Sequence, residues 1–397
     1  MKKYCLSKML LLMLCVGNLA NAQKPWNEEI ARTILTVWKD SIPIGSQTKW
    51  SYDMGVCLKG LEGLWLQTKN PVYLNAIKGK LDFFVQPDGS IKGYEMTEYN
   101  IDHVNNGKSV LFLYNQTKEE KYKIASQHLR EQLRTHPRTN EGGFWHKKVY
   151  PYQMWLDGLY MGSPFYAQYA QMFNEPKSFD DVTNQFVWME QHARDSVTGL
   201  LYHAWDESRQ QRWSNPKTGQ SPHFWARAMG WYADALVDAL DYFPAKHPGR
   251  KKLIDILNRL VNAIEKQQDP ATGLWYDVMN YNGPGKERNY FEASASSQFV
   301  YAIAKGVRMK YLPKSKLAIA EKGFDGIVKH FIKLENGQYN LHGTVSVSGL
   351  GGSNYRDGSF EYYMSEKVIV NDAKGLGACL LAANEMQLIS NKKNKKK

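Results

Sequence analysis

The stretch TGLLYHAWD (198–206) recurs in shorter form as TGLWYDV (272–278), and this repeat is the strongest indication of the fold. Each copy is a glycine-aromatic loop that follows two stretches with apolar residues at helical spacing. The loops NEGGFWH (140–146) and ENGQYNL (335–341) follow similar pairs of stretches. A unit that recurs along a chain is typical of stacked or ring-closed architectures.

The apolar periodicity predicts about twelve helices in successive pairs. They cover residues 26–39, 55–68, 72–85, 105–114, 119–133, 156–172, 178–192, 225–243, 250–267, 294–311, 315–332 and 374–387. An open solenoid needs polar caps at both ends, whereas the first and last of these helices are apolar and can pair with each other. The sequence therefore predicts an all-α fold, an (α/α)6 barrel in a single domain.

The two ends of the chain are expected to lie outside the barrel. Basic residues, an apolar run and a small-residue site ending at Ala22 predict an export signal over 1–22. The barrel is expected over 23–390 and a basic disordered tail over 391–397. After cleavage the protein is expected to be exported, periplasmic or secreted, without a membrane anchor, and to be a monomer.

Charge and cysteine content restrict the classes of partner. The formal net charge is +12, but three signal lysines and five tail lysines contribute eight of it, so about +4 remains for the barrel. A nucleic-acid partner is therefore not expected. Cys57 and Cys379 remain after signal cleavage, and we predict buried thiols there, with a bridge between the chain ends as the alternative.

An acid among aromatic residues marks the first candidate site segment, WHKKVYPYQMWLDGLYMGSPFYAQYA (145–170). Asp157 has Trp, Leu and Tyr as neighbours, and burying its carboxylate requires pairing, hydrogen bonding or protonation. A helix cap is the structural alternative. The nearby His146 and the aromatic residues favour a sugar-binding site that contains an acid, although a histidine in such a loop is more often a hydrogen-bonded loop residue.

Two further segments are expected at the same end of the ring. The segment 98–114 places Asp102 just before a helix, where Asp102 or Asn105 is alternatively its cap. The segment HFWARAMGWYADAL (223–236) supplies Arg227, a natural partner for a carboxylate unless an internal salt bridge occupies it. It also supplies Trp225 and Trp231, which suit either sugar stacking or core packing, and His203 lies in the loop before it.

These residue types together suit an acidic sugar, because an arginine binds its carboxylate and an aspartate transfers a proton. The sequence contains no HExxH and no cysteine or histidine pairs at zinc spacing, and we expect no metal. GxSxG and phosphate-binding loops are absent as well, so we expect no cofactor.

Three long motifs resemble the unsaturated rhamnogalacturonyl hydrolases of glycoside hydrolase family 105. They are WLDGLYMGSPFYAQYA (155–170), HFWARAMGWYADAL (223–236) and VSGLGGSNYRDGSFEYYMSEKVIVNDAKGLGACLLA (347–382). The resemblance covers residues 45–387 and implies an (α/α)6 barrel. It also implies removal of a 4,5-unsaturated uronic acid, expected to be galacturonate-derived, from lyase-generated oligosaccharides by hydration of the C4=C5 bond.

The resemblance also assigns roles to individual residues. Asp157 matches the acid that protonates C4 and then accepts a proton from the attacking water, so it must be protonated at the working pH. Asp102 matches the second carboxylate, which hydrogen-bonds the unsaturated sugar. Substrate-contacting positions of the motifs are matched by His146, His203, Trp225, Arg227 and Trp231, and by Tyr52 in the WSYDMG segment.

The glycine-rich segment 348–363 is expected to fold over the barrel mouth, where Tyr355 and Arg356 shape the pocket beyond the first sugar. The alternative is a closing loop without ligand contact. Other functions that fit the sequence are an unsaturated glucuronyl hydrolase acting on glycosaminoglycan or ulvan products, a lyase on an α/α toroid, and a non-catalytic glycan-binding protein. The sequence does not distinguish the sugar that follows the unsaturated uronate.

Overall fold

The computed structural model describes residues 24–40 and 49–394, and helices account for most of this part of the chain. Its helices are α1 Trp26–Asp40, α2 Tyr52–Thr68, α3 Pro71–Phe84, α4 Gly107–Thr117, α5 Glu120–Thr135, α6 Leu156–Met172, α7 Ser178–Ala193, α8 Ala226–Ala239, α9 Pro248–Glu265, α10 Ala293–Arg308, α11 Leu317–His330, α12 Phe360–Ser365 and α13 Ala373–Asn394. Short strands are β1 Gln153–Trp155, β2 Ala204–Asp206, β3 Phe224–Trp225, β4 Val278–Met279, β5 Ile332–Glu335, β6 Gln338–Leu341, β7 Thr344–Val345 and β8 Val368–Ile369.

Six helices form a closed inner ring in the order α2, α4, α6, α8, α10 and α13, and α13 packs back on α2. Each inner helix carries an outer helix, and α1 packs on α13 to complete the sixth hairpin across the chain ends. The predicted (α/α)6 barrel and its closure through the terminal helices are confirmed. The short helix α12 is an addition to the twelve predicted helices.

Burial explains why inner and outer helices have different sequences. The inner helix α6 is buried on almost every side, from Leu156 to Ala170, so it shows little amphipathic periodicity. The outer helix α9 buries only one stripe, which includes Leu253, Leu257 and Leu260. This is the pattern of a helix with one face toward the core and the other toward solvent.

Four two-stranded antiparallel sheets add structure that the helical periodicity does not predict. The pair β1–β2 joins two successive glycine-aromatic loops, with Met154 opposite Trp205. The pair β3–β4 joins the next two loops, with Trp225 opposite Val278. Because β1 and β3 lead directly into α6 and α8, these pairs fix the side chains at the start of two inner helices.

The structure bears on the predictions for the C-terminal tail and the cysteines. The predicted export signal over 1–22 lies outside the described residues, and α13 continues to Asn394, four residues into the predicted tail. Cys57 and Cys379 are buried free thiols, as predicted, rather than a disulfide. Within the described part of the chain, no helix has the length and apolar character needed to cross a membrane.

Candidate active site

Asp157, the predicted acid, is the second residue of α6 and points into the mouth formed by the glycine-aromatic loops. Its Oδ2 lies 3.3 Å from His203 Nε2, and the two side chains are 13% and 0% exposed. His203 is held from its other side, because its Nδ1 lies 2.9 Å from the hydroxyl of Tyr363 on α12. Asp157 therefore faces an imidazole whose orientation is fixed.

Asp102 lies in a 3-10 turn, Ile101–Val104, that precedes α4, and it is a second buried carboxylate. Its Oδ2 is 2.7 Å from Lys147 Nζ, and its Oδ1 is 3.5 Å from His146 Nε2. Burial raises the pKa of Asp102, but the neighbouring Lys147 and His146 together outweigh burial, and the pKa lies below its ordinary value. Asp102 is therefore ionised, and it does not cap α4, whose N-cap residue is Asn106.

A ladder of parallel rings forms one wall of the site. The His146 ring stacks on Trp155 at 4.5 Å between centroids and 3° between planes, and Tyr150 stacks on Trp155 at 5.2 Å and 11°. Burial lowers the pKa of His146 to about 4, so its imidazole is neutral near pH 7. The ladder therefore places stacked aromatic rings beside Asp102.

The floor of the site is aromatic. Trp231 is 1% exposed and stacks on Tyr160 with 4.8 Å between ring centroids. Tyr52 meets Trp231 edge to face at 6.4 Å. Burial, followed by the negative charge of Asp102, raises the pKa of Tyr52, so its hydroxyl stays protonated beside the carboxylates. Almost all of the Trp231 side chain is packed in the core, which was the alternative to sugar stacking. Its contact with substrate stays a prediction.

Arg227 forms an internal salt bridge, which was the alternative to a substrate contact in the sequence analysis. It is 1% exposed, its Nη2 lies 3.2 Å from Glu292 Oε1, and its Nε donates to Ser294 Oγ at 2.8 Å. The carbonyl of Val345 accepts a further bond from Nη2. Glu292 is fully buried, so this ion pair satisfies both charges. A contact between Arg227 and the substrate carboxylate stays a prediction.

Trp225 lies between the ion pair and the mouth. Its indole Nε1 donates to Asp277 Oδ1 at 3.0 Å, and its ring lies 4.7 Å from that of His203. Burial and then the neighbouring Glu292 raise the pKa of Asp277 to about 7. Trp225 is thus fixed by a buried acceptor while its ring borders the imidazole beside Asp157.

The late segment lies against the same wall, as expected for a loop over the mouth. Arg356 Nη2 donates to the hydroxyl of Tyr150 at 3.0 Å, and Tyr355 accepts a bond from the backbone N–H of Trp213 at 2.9 Å. The helix that follows supplies Tyr363 to His203. The structure therefore brings Tyr355 and Arg356 next to the ring ladder.

Sequence reasoning did not single out Lys147, Tyr150, Glu292 or Tyr363. Lys147 and Tyr150 lie in the segment 145–170, which also contains Asp157. Their closeness in sequence to His146 is the feature that could have identified them as site residues. Glu292 precedes α10 and accepts from the N–H groups of Ala295 and Val345, a role set by distant parts of the chain. Within the described part of the chain, no three acidic, histidine or cysteine residues are grouped to hold a metal ion.

The arrangement combines an ionised carboxylate, a second carboxylate against a fixed imidazole, a neutral imidazole and aromatic walls. Such a site can bind a sugar ring by stacking and by hydrogen bonds from and to its hydroxyl groups. It can also transfer a proton through Asp157. Two buried carboxylates in unlike surroundings fit acid–base chemistry on a saccharide.

Comparisons with known proteins identify the family of the chain. The model of Glycosyl Hydrolase Family 88 matches residues 26–389. The structure of a family 105 glycoside hydrolase from C. acetobutylicum ATCC 824 is 46% identical, with a TM-score of 0.88, and covers 92% of this chain and 100% of that chain. The unsaturated rhamnogalacturonyl hydrolase YesR of Bacillus subtilis (strain 168) is 29% identical over 68% of this chain and 76% of its own.

The likeness to a more distant structure concerns the fold. The unsaturated glucuronyl hydrolase of Bacillus sp. GL1 is 12% identical with a TM-score of 0.67, covering 92% of this chain and 96% of that chain. The match over nearly the whole chain and the 46% identity confirm the resemblance stated from the sequence motifs. The chain belongs to the glycoside hydrolases of families 88 and 105, the unsaturated uronyl hydrolases.

Proposed function

We propose that the protein removes a 4,5-unsaturated uronic acid, galacturonate-derived, from the non-reducing end of oligosaccharides produced by rhamnogalacturonan lyases. The observation that carries this proposal is the pair of unlike carboxylates. Asp102 is ionised by Lys147, while Asp157 faces only the fixed imidazole of His203 within 4 Å among the charged side chains described. Hydration of a vinyl ether needs one acid to give and regain a proton and a second group to hold the sugar.

The chemistry assigned to Asp157 starts with the transfer of its proton to C4 of the double bond. Water adds at C5, and Asp157 takes a proton from that water, so the acid is regenerated. The resulting hemiketal opens and releases the neighbouring sugar, and the net reaction consumes one water. Asp102 accepts hydrogen bonds from the sugar hydroxyls, and the ring of Trp225 borders the reacting ring.

The rhamnogalacturonan assignment is supported by YesR, which carries that activity in its name, and by the 46% identity to a family 105 structure. An unsaturated 3S-rhamnoglycuronyl hydrolase from Alteromonas sp. (strain LOR) is 25% identical over 60% of this chain. It makes saccharides of the kind given in its name the second candidate class. Ulvan products, glycosaminoglycan products and a non-catalytic glycan-binding role are further alternatives.

The test is the loss of ultraviolet absorbance of the conjugated double bond on lyase digests of rhamnogalacturonan, ulvan and glycosaminoglycan. We expect loss on the pectic digest, and none with Asp157→Asn, which leaves the shape of the side chain unchanged. Loss only on another digest would reassign the substrate. Saccharide binding without loss on any digest would favour a glycan-binding protein.

We also propose that the protein is exported and acts as a monomer. The basic and apolar sequence before residue 23 supports export. Cell fractionation and the mass of the purified protein in solution test both points.

A further inference from the structure

The guanidinium of Arg356 is held in place but has no acidic partner. Its Nη2 donates to the hydroxyl of Tyr150 at 3.0 Å, and its Nε donates to the carbonyl of Gly351 at 3.1 Å. Across the part of the chain that the structure describes, no carboxylate lies within ion-pair distance of it. An arginine that is oriented by neutral acceptors keeps a full charge available for a ligand.

The glycine-rich loop is shaped around this guanidinium. A Cβ at Gly349 would overlap Arg356 Nη1, and a Cβ at Gly352 would come within 3.4 Å of Nη2. Gly351 and Gly352 have φ values of +64° and +88°, which side chains rarely adopt. The backbone therefore encloses the guanidinium closely.

A second arginine lies at the same rim. The Arg212 guanidinium carbon lies 3.7 Å from the centroid of the Tyr355 ring, and the hydroxyl of Tyr355 is fixed by the N–H of Trp213. Arg212 is exposed, and among the described residues no carboxylate pairs with it. Tyr355 and Arg356 are adjacent in sequence, so two unpaired guanidinium groups border one loop.

Arg356 lies outward from Asp157, separated from it by several rings. From Asp157 the contacts run to His203 at 3.3 Å, from His203 to the Trp155 ring at 5.3 Å, and from Trp155 to Tyr150 at 5.2 Å. Arg356 lies one hydrogen bond beyond Tyr150. Along this path the rings of His203, Trp155 and Tyr150 lie between Asp157 and the Arg356 guanidinium.

We infer that Arg212 and Arg356 form a subsite for an anionic group, a carboxylate or a sulfate ester, on the saccharide that leaves. This inference rests on the proposed function. Both groups present a pair of oxygen acceptors to which the two N–H groups of an arginine fork can donate. In a rhamnogalacturonan fragment the carboxylate belongs to a uronate two sugars from the double bond, whereas a sulfate ester sits on the adjacent sugar.

The test compares three substrates by the loss of double-bond absorbance. They are an unsaturated disaccharide with a neutral leaving sugar, the same disaccharide with a sulfate ester on that sugar, and an unsaturated tetrasaccharide containing a second uronate. For Arg212→Gln we expect kcat/KM to fall about tenfold on the anionic substrate that the subsite binds, and by less than about twofold on the neutral disaccharide. Arg356→Lys is expected to retain part of the preference, because it keeps the charge and loses the fork.

Lys217→Gln is the matched control, since it removes an exposed charge from the same segment as Arg212. It is expected to leave the ratio of anionic to neutral kcat/KM unchanged. A selective loss on the tetrasaccharide identifies a carboxylate, and a selective loss on the sulfated disaccharide identifies a sulfate. Equal losses on all three substrates, or none, would overturn the subsite while leaving the proposed function intact. Wild-type protein inactive on all three would refute the proposed function itself, and with it this inference.

Discussion

Replacing Lys147 by methionine removes the ammonium group 2.7 Å from Asp102 Oδ2 and keeps most of the aliphatic stem. At an effective dielectric constant near 20, two unit charges at this distance attract by about 6 kcal/mol before desolvation is subtracted. Removing one partner of a fully buried pair costs about 3 to 5 kcal/mol. The side chains of Lys147 and Asp102 are 24% and 12% exposed, so solvent screens part of this. We expect the free energy of unfolding at pH 7 to fall by about 2 kcal/mol.

A double-mutant cycle measures the interaction itself. The free energy of unfolding in urea is compared for wild type, Lys147→Met, Asp102→Asn and the double variant, and we expect a coupling of about 1 to 2 kcal/mol. Lys148→Met is the control, because Lys148 is exposed and its nearest described aromatic partner is the Tyr99 ring at 5.8 Å. Changes that add within about 0.5 kcal/mol would refute the assignment of Lys147 as the counter-charge of Asp102.

Activity provides a second measurement of the same ion pair. Lys147 keeps the pKa of Asp102 below its ordinary value, against the effect of burial, so its loss raises that pKa. The ionised form of Asp102 is then lost at a higher pH than in wild type. We expect the acidic limb of the kcat/KM profile to move to higher pH in Lys147→Met, with activity recovering as the pH rises. An unmoved acidic limb would show that Asp102 need not be ionised.

Three further outcomes follow from individual contacts. Glu292→Gln leaves Arg227 charged and buried without a carboxylate, and we expect the free energy of unfolding in urea to fall by about 3 to 5 kcal/mol. Burial lowers the pKa of His136 to about 4, below its unfolded value, so the folded state binds fewer protons and stability falls as the pH falls below about 6.5. The free energy of unfolding of the wild type is expected to fall by about 2 kcal/mol between pH 7 and pH 5. Urea unfolding of His136→Gln at both pH values should show a smaller fall. Tyr363→Phe removes the hydroxyl that fixes His203, so steady-state kinetics should show kcat lowered about tenfold and KM little changed.

The barrel was predictable because its helices have a regular apolar period and its loops repeat. The bounds of α6 agree with the prediction, and α1 differs by one residue. At α4 the agreement is poorer, since residues Ile101–Val104 form a 3-10 turn and the helix begins at Gly107. There the amide of Asn105 donates to the carbonyl of Tyr52, a contact that no local pattern contains.

The candidate site was predictable where one segment carries both the residue and its surroundings. Asp157 and His146 are close in sequence and lie at the same mouth, although His146 pairs with Asp102 rather than with Asp157. Arg227 shows the limit of this reasoning. Its partner Glu292 is 65 residues away, and whether an arginine binds a ligand or a buried glutamate depends on packing between α8 and α10.

The direction of the inner helices gives the two ends of the barrel opposite preferences for charge. Asp157 and Tyr52 lie in the first turns of α6 and α2, so the helix N-termini, with their partial positive charge, face the mouth. The far end has the opposite polarity, and there Lys305 and Arg308 occupy the last turn of α10 and pair with acids such as Glu385. An anionic saccharide is therefore favoured at the mouth by the fold itself. Side chains at the rim, and not the barrel, must then decide which acidic saccharide is accepted.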